Sequence, residues 1–275
     1  MSLRKYLNLV LMLMVALALA CGGGQEVVDE ADLGEDDHAL QKAATETAAG
    51  GGAAAAGSAA PVVADAATLN GLVKFEGPPP RMAPTPMSAD PFCASSHSTT
   101  PLSQEVIVGA GGEMANVIVY VKNITGNFPP PAQEALLDQI GCEYVPRVSA
   151  VQAGQTVNIR NSDATLHNVH AMPAVNRQFN EGQPVKGMVS SKKFDKVEPK
   201  PFLIKCDVHG WMRSYMAVLP HPYHSVSKTD GNFSIGNLPP GSYTLVAWHE
   251  RYGEQEQQVT VGANEQKDVT FTFRG

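Results

Sequence analysis

From residue 69 onward the chain runs as short apolar segments, many of them alternating with polar positions at the period of a strand. LNGLVKF, QEVIVG, NVIVYVKN, QTVNIRN, FLIKC, YMAVL, GNFSIGN, SYTLVAWHE, QQVTVG and KDVTFTF are rich in Val, Ile, Thr and aromatic residues, and Gly, Pro, Asn or Asp bound them. Such side chains suit a pleated, half-buried surface, and the turn residues between them let successive strands fold back. PAQEALLDQI, residues 131–140, is the one stretch with a helical pattern, a few turns at most. The expected fold class is all-β, built of sandwiches or barrels.

The first 67 residues follow other rules. Arg4 and Lys5 precede an apolar run from Leu7 to Ala20, too short for a comfortable membrane span and closed by small residues before Cys21. That is the layout of a secretory signal. LALA before Cys21 also resembles a bacterial lipobox, although Ala18 stands where leucine is more usual. Residues 1–21 are therefore expected to be a signal peptide with Cys21 as the lipidation site. Plain secretion with a leftover thiol is the alternative. Residues 22–67 are Gly/Ala-rich and acidic, with too little apolar surface to offset the entropy of ordering, and are expected to form a disordered linker. An exported lipoprotein, anchored to a membrane and facing the periplasm or cell surface, is the implied localisation.

Charge sharpens this division. Of 27 acidic and 20 basic residues, nine acids and one base lie in 22–67, and two bases lie in the signal. Residues 68–275 then keep 18 acids (27 − 9) and 17 bases (20 − 1 − 2). A nearly neutral folded part gives no reason to expect nucleic acid as a partner.

The chemistry concentrates in KCDVHGWM, residues 205–212, where Cys206, His209 and Met212 fall within seven positions between two strand patterns. An ion that cycles between Cu(I) and Cu(II) suits two imidazoles and a thiolate in a plane with a weak thioether on the axis. One tight loop can supply three of these ligands. The fourth is available in NSDATLHNVH: His167 follows the strand QTVNIRN and precedes Cys206 by 39 positions (206 − 167). H-N-V-H followed by C-x2-H-x2-M, with Arg213 after the methionine, resembles the cupredoxins, the amicyanin and plastocyanin group in particular.

That resemblance implies a cupredoxin domain over about 132–221, with one type 1 copper held by His167, Cys206, His209 and Met212. It also implies that Asn168 ties the two ligand loops together. Electrons would pass through an exposed edge of His209, and Gly210 and Trp211 would contact the redox partner. These two residues also mark a departure, since a proline commonly follows the loop histidine. Met216 and His170 compete with Met212 and His167, but strand alternation assigns them to packing. HPYH at 221–224 is a weak candidate for a second metal. The basic run of Lys192, Lys193, Lys196 and Lys200 reads as a docking patch for an acidic partner or as a solvated face. Zinc fits less well, because methionine is a poor zinc ligand and structural zinc sites usually gather more cysteines. With Cys21 lipidated and Cys206 on the metal, Cys93 and Cys142 remain, and an oxidising compartment favours a disulfide between them over two buried thiols.

The C-terminal stretch TDGNFSIGNLPPGSYTLVAWHERYG resembles the carboxypeptidase regulatory-like, transthyretin-like β-sandwich. That family opens with a G-x-V strand, here Gly71 to Val73, and reaches its D-G-x-F hairpin soon afterwards. Here the hairpin waits until Asp230. The expectation is a discontinuous sandwich, 68–128 plus 222–275, interrupted by the cupredoxin domain. Three consecutive small β units are the alternative.

The expected function is one-electron transfer in the cell envelope, with a periplasmic c-type cytochrome or a dehydrogenase as partner. An enzyme is not expected: the further histidines form no evident cluster for a second copper of the kind copper reductases and oxidases use, and G-x-S-x-G, H-E-x-x-H and a P-loop are lacking. Two other readings stay open. One is a carbohydrate- or protein-binding surface lipoprotein in which copper is structural or absent. The other is copper storage or delivery.

Overall fold

The computed structural model describes residues 63–275. The expected signal peptide, Cys21 and most of the expected linker lie outside the described residues. The linker's last residues are docked rather than loose. The Val63 amide donates to Asn237 Oδ1 at 3.3 Å, the Asn264 amide donates to the Asp65 carbonyl at 3.1 Å, and Ala67 is fully buried as the first residue of a strand. Among the described residues no helix is long and apolar enough to cross a membrane.

The strands are β1 (Ala67–Glu76), β2 (Ile118–Val121), β3 (Ala135–Ile140), β4 (Glu143–Val145), β5 (Val148–Gln152), β6 (Thr156–Asn161), β7 (His167–Ala171) and β8 (Phe179–Gln183). They continue with β9 (Val189–Lys193), β10 (Phe202–Lys205), β11 (Arg213–Leu219), β12 (His224–Val226), β13 (Asn232–Leu238), β14 (Gly241–His249), β15 (Gly253–Val261) and β16 (Gln266–Arg274). Two sheets, ordered β13-β1-β16 and β12-β2-β14-β15, share one buried cluster that includes Leu69, Val73, Val119, Phe233, Leu245 and Phe271. Two more, β5-β11-β10-β7-β8 and β4-β3-β6-β9, share a second that includes Leu137, Val157, Ile159, Val169, Ile204 and Val218. From β1 the described chain thus runs in the first pair of sheets, passes through the second from β3 to β11, and returns to the first. A smaller cluster joins them where Ile118 and Trp248 meet Val148, Ala217 and Leu219. Arg147 clamps the same seam, donating to both carboxylate oxygens of Glu250 at 2.6 and 2.8 Å.

Local chemistry explains the first pair. Gly71 faces Phe233 across the β1–β13 pair, and a Cβ built on Gly71 would stand 2.0 Å from the ring. The glycine is there because the phenyl ring occupies the space of its side chain. Before β13, Gly231 takes φ 72° and Asp230 accepts the Asn232 amide at 3.0 Å, closing the turn that carries the chain from β12 in one sheet to β13 in the other. Tyr243 then donates to the Pro239 carbonyl at 2.7 Å, fixing the corner before β14.

Two expectations fail. Residues 135–140 form β3, not a helix, pairing parallel with β6 and antiparallel with β4. Leu137 packs in the second cluster while Leu136 and Ile140 face solvent, and the two neighbouring strands take its backbone groups, which outweighs the weak helical propensity. QEVIVG is not a regular strand either, making only an isolated bridge between Val108 and Met114.

Between β1 and β2 the chain makes an excursion with consequences for the site. Its two limbs join where Thr85 donates to the Pro101 carbonyl at 2.8 Å and Ser103 to the Ala83 carbonyl at 2.9 Å. The tip carries a 3-10 turn, Met87–Ala89, and the helix α1 (Pro91–Ser95), capped by Asp90 Oδ1 accepting from the amides of Phe92 at 2.8 Å and Cys93 at 3.2 Å. Met87 and Cys93 are buried in the second cluster. The tip of the excursion thus packs against the second cluster, although it lies within 68–128. Cys93 forms a disulfide with Cys142, 49 positions away. Closing a loop of that length stabilises by about 4 kcal/mol in the chain-entropy account.

Candidate metal centre

The ligand loop is a tight turn between β10 and β11. Cys206 donates its amide to the Met212 carbonyl at 3.1 Å, and Met212 donates to the His209 carbonyl at 2.9 Å. This closure, continuous with the antiparallel β10–β11 pair, holds Cys206 and His209 on the same side. His167 opens β7, which pairs with β10, and so arrives beside Cys206 from the neighbouring strand.

Donor atoms of His167, Cys206 and His209 lie within 4.8 Å of one another, all three buried. His167 Nδ1 is 3.0 Å from His209 Nδ1, and His209 Nδ1 is 3.9 Å from Cys206 Sγ. A metal with bonds of about 2.0–2.3 Å spaces trigonal donors by roughly 3.5 Å, so these separations fit one shared ion. Both outer imidazole nitrogens are engaged elsewhere. His167 Nε2 meets Asp163 Oδ2 at 2.9 Å, and His209 Nε2 meets Asp90 Oδ2 at 3.1 Å. A carboxylate on Nε2 keeps the proton there and turns the Nδ1 lone pair toward the centre.

Electrostatics prepare the anion as well. Burial would push the Cys206 thiol up, but His167 and the amides of Asn168, His209 and Val208 outweigh it and hold its pKa down. The Asn168 and His209 amides lie 3.5 and 3.3 Å from the sulfur. Burial likewise opposes charge on His167, yet Asp163 and Cys206 raise its pKa. Asp163 is held low despite burial by His167 and by the amides of Cys142 and Gly141. Asp90 is held low despite burial by His209 and the amides of Cys93 and Phe92.

Asn168 accepts the Asp207 amide with its side-chain oxygen and donates to Asn180, linking β7 to the ligand loop and to β8. Met212 and Met216 are both buried in the second cluster, and Met212 is the one whose backbone closes the loop. His170 points elsewhere, its Nδ1 2.9 Å from Asp207 Oδ2. His221 meets the Val121 carbonyl at 2.8 Å, as part of the sandwich. In the basic run, Lys192 is paired with Glu181, while Lys193, Lys196 and Lys200 are exposed.

One expectation is overturned. The edge of His209 is not exposed: the residue is 2 % accessible, because the excursion lays Asp90 and the disulfide over it, with Cys93 Sγ 3.7 Å from Nε2. Gly210 is exposed beside it. Trp211 is half-buried, its ring 5.0 Å from that of His209 and its indole N–H donated to the Cys142 carbonyl at 3.1 Å. Asp163 and Asp90 were missed in the sequence. N-S-D before His167 carried a signal for the first, four positions away. Nothing local marks the second, which lies 119 positions from its histidine.

Comparison with known proteins gives two likenesses. Residues 219–274 match the carboxypeptidase regulatory-like domain. No curated protein matches the chain. Among solved structures it is similar to a Cu-containing nitrite reductase from Thermus scotoductus SA-01, 17 % identical over 36 % of this chain and 25 % of the other, TM-score 0.29. It is similar to a purple cupredoxin from Nitrosopumilus maritimus, 19 % identical over 31 % of this chain and 99 % of the other, TM-score 0.27. An amicyanin mutant in the Cu(I) state is 23 % identical over 35 % of this chain and 96 % of the other, TM-score 0.28. The chain spans a quarter of the nitrite reductase and nearly all of the two small proteins. It is thus an all-β chain with a carboxypeptidase regulatory-like stretch at 219–274 and cupredoxins among the solved structures it resembles.

Proposed function

We propose that His167, Cys206, His209 and Met212 hold one copper ion in a type 1 site, and that the protein carries single electrons in the cell envelope. The observation that carries this reading is the convergence of two Nδ1 atoms and one cysteine sulfur in a buried pocket, with both Nε2 atoms tied to carboxylates. The donor set suits copper: a cysteine sulfur and two imidazoles, with Met212 in the same buried cluster to offer a thioether. When bound, copper supplies a one-electron couple.

The chain's own residues supply the rest. The β10–β11 turn and β7 fix the three donors before any metal arrives, so little rearrangement accompanies a change of charge. Amides on Cys206 stabilise the thiolate. The buried cluster around Met212 excludes water. With the His209 edge closed, Trp211 and Gly210 are the surface through which a redox partner, a periplasmic c-type cytochrome or a dehydrogenase, makes contact. The proposal extends to a copper-binding domain at 132–221 set into a discontinuous sandwich, 68–128 plus 222–275; the two buried clusters and the return of the chain from β11 to β12 support it. It also extends to export and anchoring through Cys21, on the pattern of the first 21 residues.

The test is the visible absorption spectrum of the purified chain after addition of Cu(II), beside that of Cys206→Ser. An intense thiolate-to-copper band, absent in the variant, is expected. A folded wild-type chain with no such band would sink the proposal.

A further inference from the structure

Asp163 and Asp90 each hold the outer nitrogen of one candidate ligand histidine, and each sits against one end of the same disulfide. Asp163 Oδ2 accepts the Cys142 amide at 2.7 Å while meeting His167 Nε2 at 2.9 Å. Asp90 Oδ1 accepts the Cys93 amide at 3.2 Å while its Oδ2 meets His209 Nε2 at 3.1 Å. Cys93 and Cys142 are bonded to each other. The path Asp90–Cys93–Cys142–Asp163 therefore spans the site behind both imidazoles. Its four members come from three separate places in the chain: Asp90 and Cys93 from the tip of the β1–β2 excursion, Cys142 from the β3–β4 turn, and Asp163 from the loop before β7.

We propose that Asp90 is a positioning residue of the metal centre, brought to His209 by the disulfide-latched excursion and acting as the counterpart of Asp163 on His167. This rests on the copper reading given above. Three observations carry it. His209 Nε2 has a carboxylate within hydrogen-bond distance although the ligand loop itself brings none to it. The carboxylate is itself oriented, by two backbone amides and by Thr165 Oγ1 at 3.4 Å. The histidine side of the contact is closed, because His209 is buried by the residues that touch it, while Asp90 stays partly exposed. A carboxylate behind a ligand imidazole fixes its tautomer and ring plane and raises its basicity. It also places a negative charge one residue from the ion, which favours the more highly charged oxidation state. The excursion is thus a wall of the site, although the ligands themselves lie in 167–212.

The experiment uses the full chain with Asp90→Ser and Asp90→Asn. Serine and asparagine both cap helices well, so α1 keeps its start. Serine cannot reach His209. Asparagine reaches it without the charge. Cu(II) affinity is measured by competition with a chelator, and the reduction potential by titration with redox mediators. Expected for Asp90→Ser is a loss of affinity of about 10–100-fold, the range for residues behind metal-ligating histidines. Asp90→Asn is expected to lose less affinity and to show a raised potential. Wild-type affinity and potential in Asp90→Ser, with the thiolate-to-copper band intact, would overturn the role of Asp90 and leave the copper reading standing. A wild-type chain that shows no band overturns both.

Discussion

The Nδ1 atoms of His167 and His209 stand 3.0 Å apart in a pocket where both rings are buried. With each Nε2 held by a carboxylate, two lone pairs face each other and repel unless a proton or a cation sits between them. Cu(II) should therefore stabilise the fold. At a free concentration of about 100 times Kd, the gain is about 2.7 kcal/mol. For a folded part of this size that raises Tm by roughly 5–10 °C. Calorimetry with and without Cu(II) checks it, and His167→Ala should abolish the shift; an equal shift in His167→Ala would mean that the ion binds elsewhere.

Trp211 leads to a kinetic expectation. Its ring lies 5.0 Å from His209 and is half-buried, whereas the histidine edge is closed. Trp211→Leu should slow electron exchange with a small soluble complex such as hexaammineruthenium several-fold, while leaving the thiolate-to-copper band unchanged. Stopped-flow mixing reads both at once. An unchanged rate would place the electron path elsewhere on the surface.

The sandwich offers a test independent of any metal. The Phe233 ring fills the space in front of Gly71 so closely that an added Cβ would lie 2.0 Å from it. Gly71→Ala should cost about 1–3 kcal/mol through overpacking. Phe233→Leu, which shortens the intruding side chain, should make the same substitution milder. Urea unfolding of the two single variants and the double variant measures the coupling. Strict additivity would show that β1 shifts to avoid the ring.

How much of this was legible beforehand depended on distance along the chain. The β-strand neighbours of His167, Cys206, His209 and Met212 could be read from alternation, and the resemblance to the cupredoxins singled these four out as candidate ligands; the structure brings the donors of His167, Cys206 and His209 together. β3 was not legible, because Leu136, Leu137 and Ile140 carry as much helical as strand pattern, and only pairing with β6 decides between them. Asp90 was not legible for a different reason. Its partner lies 119 positions away, and the excursion that carries it has no periodicity of its own. Cys93 and Cys142 could be paired by counting cysteines, but that the bridge lies against His209 is a property of the folded chain alone.

His249 leads to a pH dependence. It is fully buried on β14, stacked on Tyr252 with ring centroids 5.2 Å apart, and its Nδ1 accepts the Arg251 amide at 3.1 Å. Its Nε2 is buried without a hydrogen-bond partner among the described residues. Burial first, then the charges of Arg147 and Arg251, disfavour the imidazolium and push the pKa down to about 4. In the unfolded chain it returns to near 6.5. Between those values the unfolded state binds a proton that the folded state refuses, so stability falls with falling pH. The contribution is whole above about pH 6.5, is lost progressively toward pH 4, and is of the order of 3 kcal/mol. His249→Phe keeps a ring against Tyr252 and Phe273 but cannot titrate. Its unfolding free energy, measured by urea at intervals from pH 7 to pH 4, should fall less steeply than that of the wild type. Parallel curves would show that His249 takes up its proton in the folded protein as readily as in the unfolded chain.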